Sequence, residues 1–182
     1  MLLFISGGVR SGKSTLGEKF ANELATGNKI YLATSKVYDE EMRQRIHKHQ
    51  KNREKKGFIT IEKSENIGEI ASKLTKSDTV LMDCLGTLVA NEMFYDYSIE
   101  YNDQMKSEII EKIFADISKI NAAVANLIVI SNEIFSSGIT YDRATEEYID
   151  VLGQLHIKIA AVAQKAIECV FGCNVFYKGG TQ

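Results

Sequence analysis

The sequence predicts an α/β fold, a three-layer sandwich in which a mostly parallel sheet is flanked by helices on both faces. Three observations predict it. Short apolar runs recur at Leu2 to Ile5, Ile30 to Ala33, Val80 to Met82, Leu127 to Ile130 and Val170 to Tyr177, each of a length that suits a buried strand. Longer stretches of helical periodicity separate them, the alternation that crossover connections between parallel strands produce. The first run also leads directly into Gly7-Gly8-Val9-Arg10-Ser11-Gly12-Lys13-Ser14, which fills every fixed position of G-x-x-x-x-G-K-[ST].

The elements follow in order. After the opening strand, a helix is expected from about Lys13 to Ala25, stopping near Gly27-Asn28, a pair suited to a C-terminal cap. A polar helix with both charge signs spans about Asp39 to Lys56, the composition of a solvated face. Shorter helices are expected at Asn66 to Leu74 and Leu85 to Tyr95, and longer ones at Gln104 to Ala123 and Tyr141 to Ala166. Tyr95 to Asp103 reads as a surface loop. No repeat, low-complexity block or linker divides the chain, so residues 1–182 are expected to form one P-loop nucleotide-binding domain.

Bulk properties narrow the function. A chain of 182 residues, 45% hydrophobic, has enough apolar material for one full core and little for a second. A net charge of −2 exerts no general pull on nucleic acid or anionic membrane, so small molecules and copies of itself are the expected partners. Three cysteines, Cys84, Cys169 and Cys173, form an odd set without zinc-type spacing, which suits buried thiols in a reducing compartment. Without a signal-like start or an apolar run of membrane length, the expectation is a cytoplasmic, soluble protein with no membrane span. Proline is absent, so every turn rests on Gly, Asn, Asp and Ser.

The glycine loop carries the most specific chemistry. Its glycines let backbone N–H groups surround phosphate oxygens, Lys13 reaches the β/γ phosphates, and the Ser14 hydroxyl can hold Mg²⁺. The following helix adds its positive end. Asp83 ends the Thr79 to Met82 run, on a strand expected beside the first, and can hold Mg²⁺ opposite Ser14; its other reading is a cap on the next helix. Glu133, after Leu127 to Asn132, is a second carboxylate at a strand end, where parallel sheets collect ligands. On the polar helix Arg45, His49 and Arg53 recur every four residues and share a face, whereas His47 faces elsewhere. Two flanking arginines would keep His49 neutral and nucleophilic while holding phosphate oxygens. Its other reading is a polar surface residue.

The ordered set Gly7 to Ser14, Tyr31-Leu32-Ala33-Thr34-Ser35, Asp39-Glu40-Glu41-Met42 with Arg45-Ile46 and His49, Asp83-Cys84-Leu85 and Asn132-Glu133 resembles the adenosylcobinamide kinase/adenosylcobinamide-phosphate guanylyltransferase family of cobalamin biosynthesis. The resemblance runs nearly end to end and is densest in the first half. It implies a RecA-like P-loop NTPase fold and a two-stage transferase. A nucleotide triphosphate, GTP or ATP, phosphorylates the aminopropanol hydroxyl of adenosylcobinamide. His49 then attacks the α-phosphorus of GTP, and the GMP captured on it passes to the cobinamide phosphate. The resemblance places nucleotide contacts at Gly7, Gly8, Val9, Arg10, Ser11, Gly12, Lys13 and Ser14, at Ala33, Thr34 and Ser35, at Gln50, Lys51, Asn52 and Arg53, and at Glu62 and Asp83. Mg²⁺ falls to Ser14 and Asp83. It also implies a homotrimer with sites between neighbouring subunits.

The chain departs from the family pattern in places. Between Arg53 and Thr60 it is one residue longer, with Phe58 where Trp is usual. After Glu133 it reads Ile134-Phe135-Ser136-Ser137-Gly138-Ile139-Thr140-Tyr141, with an insertion and no proline. Ile149, Gln154 and His156 stand where arginine, arginine and asparagine are typical. These changes bear on the corrinoid side, since loops carry substrate specificity. A single-activity small-molecule P-loop kinase and a non-catalytic nucleotide-binding module are the alternative readings.

Overall fold

Strands and helices alternate along the chain in a computed structural model that describes residues 1–36, 50–95, 100–136 and 138–180. Strand β1 (Leu2–Gly7) runs through the glycine loop into α1 (Lys13–Leu24), followed by β2 (Lys29–Ala33). Helical residues 50–55 precede β3 (Phe58–Glu62). A 3-10 helix (Ile67–Lys73), β4 (Thr79–Asp83), α2 (Leu85–Met93) and α3 (Asp103–Ala123) come next. The chain continues through β5 (Asn126–Asn132), α4 (Arg143–Val162), β6 (Lys165–Val170) and β7 (Cys173–Lys178).

The seven strands form one sheet in the order β3-β2-β4-β5-β1-β6-β7. All pairings are parallel except that of β6 with β7. Alternate residues of each strand face opposite ways, and this splits the core in two. Leu2, Phe4, Leu32, Val80 and Val129 pack with the apolar sides of α2, α3, α4 and the 3-10 helix. Leu3, Ile5, Leu81, Ile128 and Ile130 face the other way, against Ala21, Leu16 and Phe20 of α1. Each such side chain taken from water contributes roughly 1.5–3 kcal/mol before chain entropy is subtracted. Helix starts are fixed locally: Asn102 accepts from Met105 N ahead of α3, and Asp142 from Thr145 N ahead of α4, caps worth about 1 kcal/mol each.

Five strands were expected, and the described residues form seven. Strand β3 was overlooked because Phe-Ile-Thr-Ile-Glu follows a lysine-rich helix end and only Phe58 of the five is buried. The run Val170 to Tyr177 is not one strand but the middle of a hairpin, and α4 stops at Val162 instead of reaching Ala166. Strand β4 is not beside β1, since β5 lies between them. The expected Gly27-Asn28 cap is replaced by an extended Ala25, and Gly27 serves a close approach to Ser77. Asn66 to Leu74 is helical as expected, though of the tighter 3-10 type. Of the polar helix, only residues from 50 onward fall within the described set; Asp39, Arg45, His47 and His49 lie outside it.

The β6–β7 turn is made by Phe171 (φ 49°) and Gly172 (φ 80°), both left-handed as a two-residue hairpin of this hand requires. Glycine does this freely, but a bulky residue is strained there by roughly 1–2 kcal/mol. Phe171 is 99% exposed and recovers nothing by packing within the chain. Phe171→Asn should therefore raise stability by about 1 kcal/mol and the melting temperature by roughly 2–4 °C, read by thermal denaturation. A lower melting temperature would show that the ring has a stabilising contact.

Candidate active site

The loop between β1 and α1 is built so that only glycine fits at two of its corners. A Cβ on Gly7 would lie 2.5 Å from Ser11 Oγ and 2.7 Å from the Cys169 carbonyl oxygen, and Gly12 has φ +96°. Arg10 is also left-handed, at φ 60°. Gly12 precedes α1 without any side-chain cap, so the first N–H groups of the helix stay free for an anion. Lys13 is buried and its Nζ donates to the Gly8 carbonyl at 3.0 Å, folding the ammonium over the loop. Ser11 Oγ is buried without a hydrogen-bond partner. A buried hydroxyl without a partner costs about 1–3 kcal/mol, which a phosphate oxygen would recover.

Although β5 separates β4 from β1, Asp83 still reaches the loop. Its Oδ2 accepts from Ser14 Oγ at 3.2 Å and from Tyr31 Oη at 2.5 Å. The capping alternative for Asp83 does not hold, because the residue at the start of α2 is Cys84 and the Asp83 carboxylate is turned toward Ser14. Burial, and then the Asp83 charge, hold the Tyr31 phenol well above its usual range, so it remains a proton donor at any working pH. Thr34 is fully buried behind this pair: its Oγ1 donates to the Cys84 carbonyl and accepts from Cys84 N, each at 2.9 Å. The Thr34 carbonyl is taken by Asn91 Nδ2 at 2.7 Å. The parallel register sets Glu62, Ala33 and Asp83 side by side at the carboxyl ends of β3, β2 and β4.

Two cavities flank the loop. One, of about 420 Å³, is lined by Ser14, Thr15, Tyr31, Asn52, Arg53 and Asp83, with Glu18 and Lys56 at its side. Here the guanidinium of Arg53 lies over the Tyr31 ring, 3.5 Å from its centroid, and Gln50 Nε2 donates to Glu62 Oε1. Lys56 pairs with Glu18 at 2.5 Å, which ties the same segment to α1. The second, of about 260 Å³, lies between Gly8 to Ser11, Glu133 and the β6 end at Glu168 to Phe171. Glu133 is fixed there: its N–H donates to the Gly7 carbonyl at 2.9 Å and its Oε1 accepts from Phe135 N, Ser136 N and Ser136 Oγ.

The model of a family described as cobinamide kinase / cobinamide phosphate guanyltransferase matches residues 3–176. The chain belongs to that family. It is 29% identical to the bifunctional adenosylcobalamin biosynthesis protein CobU of Escherichia coli, covering 98% of this chain and 100% of that one. It is 26% identical to the protein of the same name from Salmonella typhimurium, again over 98% of this chain and 100% of that one. Among solved structures, an ATPase of the type III secretion system of pathogenic bacteria matches 92% of this chain and 50% of its own at a TM-score of 0.51 and 12% identity, a likeness of fold alone. The seven-stranded, mostly parallel sheet with helices on both faces is thus the three-layer α/β architecture that the sequence predicts.

In this member of the family, Ser14, Asp83, Asn52 and Arg53 converge on one cavity, and Gln50 and Glu62 meet beside it. Lys51 is exposed on the same segment, and Ser35 is half-buried beyond β2. Thr34 stands behind the cavity with its polar atoms occupied, while Gly8, Val9, Arg10 and Ser11 face the second cavity. Tyr31 is a partner of Asp83 that the motifs do not announce. The available signal was a phenol in the middle of an apolar strand, which needs a buried acceptor.

His156 lies under the Glu133 loop, its ring edge-on to Phe4 and Phe135 with centroids 4.9 and 5.1 Å away, and its Nε2 2.7 Å from Ser131 Oγ. Burial pushes its imidazole down to about 4, against an opposing pull from Glu133. The unfolded chain takes up this proton near pH 6.5 and the folded one only near pH 4, so the stability involved is whole above pH 6.5 and is lost as pH falls toward 4. The loss is about 3 kcal/mol at most. His156→Asn should flatten the pH dependence of the melting temperature across this window, as followed by circular dichroism; an unchanged slope would assign acid lability to other groups.

Proposed function

We propose that this chain, acting as one P-loop nucleotide-binding domain, phosphorylates the aminopropanol hydroxyl of adenosylcobinamide and then transfers GMP from GTP to the resulting cobinamide phosphate. One observation carries the reading: Arg53, four residues after His49, stacks on the Tyr31 that bonds Asp83, the partner of Ser14. The segment that follows the nucleotidyl histidine is thereby fastened to the phosphate loop. Gln50, the next residue after His49, is bonded to Glu62 at the same edge of the sheet.

In the kinase step the free N–H groups at the start of α1 and the Lys13 ammonium hold the β and γ phosphates, Lys13 exchanging the Gly8 carbonyl for phosphate oxygen. The Ser14 hydroxyl and the Asp83 carboxylate are two hard oxygen donors of the kind that hold Mg²⁺ together with phosphates and water. Bound there, Mg²⁺ would neutralise charge that develops between the transferred phosphoryl group and the leaving nucleotide. In the transferase step the His49 imidazole attacks the α-phosphorus of GTP; the new P–N bond forms as the bond to pyrophosphate breaks. The phosphate of the cobinamide phosphate then displaces the histidine, giving GDP-cobinamide. Arg53 holds phosphate oxygens during both exchanges, a role supported by its position in the wall of the cavity that Ser14 and Asp83 share.

A homotrimer belongs to the same reading and is supported by β7, an edge strand whose Val175, Phe176 and Tyr177 are exposed. So does a place in the cytoplasm; among the described residues no helix is long and apolar enough to cross a membrane.

Incubation with α-labelled and γ-labelled GTP tests the proposal. Label from the α position should appear on the protein, acid-labile and alkali-stable, and should move to cobinamide phosphate when that is added. His49→Ala should abolish this capture while phosphorylation of cobinamide stays within about threefold, whereas Lys13→Ala should lower both by roughly 10²–10³-fold. Phosphorylation without any protein label would leave a small-molecule kinase. GTP-dependent thermal stabilisation without turnover would leave a binding module.

A further inference from the structure

Tyr31 is buried in the middle of β2, level with Leu81 of β4 and in the same core cluster as Ala33 and Phe58. A phenylalanine would fill that space equally well, so packing does not explain the hydroxyl, and burying it without a partner would be costly. The partner is Asp83. Both donors that reach this carboxylate, Tyr31 Oη from β2 and Ser14 Oγ from α1, land on Oδ2. Among the described residues nothing donates to Oδ1. Two donors from two elements on one oxygen stop the carboxylate from turning over, and Asp83 lines the cavity that Ser14 and Thr15 share. The ring has a second occupation. One face carries the Arg53 guanidinium, 3.5 Å from the centroid, and its edge meets Phe58 at 6.0 Å in a T-shaped contact. An arginine resting on a partly buried aromatic face is held without being neutralised, and it keeps its N–H donors for oxygen ligands.

We propose that Tyr31 is a positioning residue shared by both half-reactions: its hydroxyl aims the Asp83 carboxylate at the metal-bound triphosphate, and its ring holds Arg53 over the same phosphates. The inference rests on the function proposed above. It makes the two attachments separable, because Tyr31→Phe removes the first and keeps the second, while Tyr31→Leu removes both.

Two binding measurements without turnover test it. Free Mn²⁺, counted by electron paramagnetic resonance in the presence of GTP, reports on the Asp83 side. Affinity for a fluorescent GTP analogue in EDTA reports on the Arg53 side. Tyr31→Phe should bind Mn²⁺ about five- to tenfold more weakly in the GTP complex, with metal-free nucleotide affinity unchanged. In turnover it should need correspondingly more Mg²⁺ for half-maximal phosphoryl transfer, with kcat at saturation within about twofold of wild type. Tyr31→Leu should show the same Mn²⁺ loss and, in addition, a threefold or greater loss of metal-free nucleotide affinity. Arg53→Ala should reproduce only that second loss. Wild-type Mn²⁺ binding by Tyr31→Phe overturns the role of the hydroxyl, and a metal-free affinity unchanged by both Tyr31→Leu and Arg53→Ala overturns the role of the ring. If Tyr31→Leu does not fold, Tyr31→Met takes its place in the second arm. A wild-type chain that takes up no Mn²⁺ with GTP overturns the reading of the site and this inference with it, whereas wild-type uptake that Tyr31→Phe leaves unchanged overturns the inference alone.

Discussion

Parallel pairing in register is the constraint on which the rest of the molecule depends. Because β3, β2 and β4 run the same way and are level, Glu62, Ala33 and Asp83 finish in one row, and the loops that leave them open on the side where β1 delivers the glycine loop. A slip of one residue in β4 would turn Asp83 to the other face of the sheet. The Thr34 hydroxyl, bonded in both directions to the Cys84 backbone, and Asn91 Nδ2, shared between the Thr34 and Ser64 carbonyls, lock that row from behind. The polar groups are buried and paired, so they specify one arrangement of the strand ends where apolar contacts alone would tolerate several.

From this row the chemistry is assembled by short links. Ser14 and Tyr31 share one oxygen of Asp83, Arg53 rests on Tyr31, and Gln50 bonds Glu62. Each link joins a different pair of elements: α1 to β4, β2 to β4, the 50–55 segment to β2, and the same segment to β3. The segment is further held by Lys56 to Glu18 on α1. That last pair is partly exposed and adds little energy by itself, but it lies in line with the others.

Most of this frame is legible in the sequence. The glycine loop, α1, β1, β2, β4 and β5 were legible because their apolar runs are short and continuous and are bounded by polar turns, which is what strands buried on both faces look like. The edges were harder to read. Strand β3 buries only Phe58 and shows no continuous apolar signal, while β7 falls almost wholly inside the run Val170 to Tyr177, where a single glycine, Gly172, marks the turn that parts it from β6. Lys165 and Ala166 passed for the end of a helix because Ala-Gln-Lys-Ala favours helix locally, and tertiary pairing with β1 overrides that preference. In the site, Asp83 was found through its place at a strand end, whereas its partner Tyr31 lay hidden inside an apolar run. Thr34 was expected at the nucleotide by resemblance and stands one layer back, a distinction that residue identity cannot convey.

The lock made by Thr34, Cys84 and Asn91 lies entirely on the β2–β4 side of the glycine loop, while the longer, proline-free stretch after Glu133 and the strained hairpin tip lie on the other. A change of length or composition on the far bank leaves the near bank undisturbed. A build of this kind lets one bank of the loop vary while the other keeps its geometry.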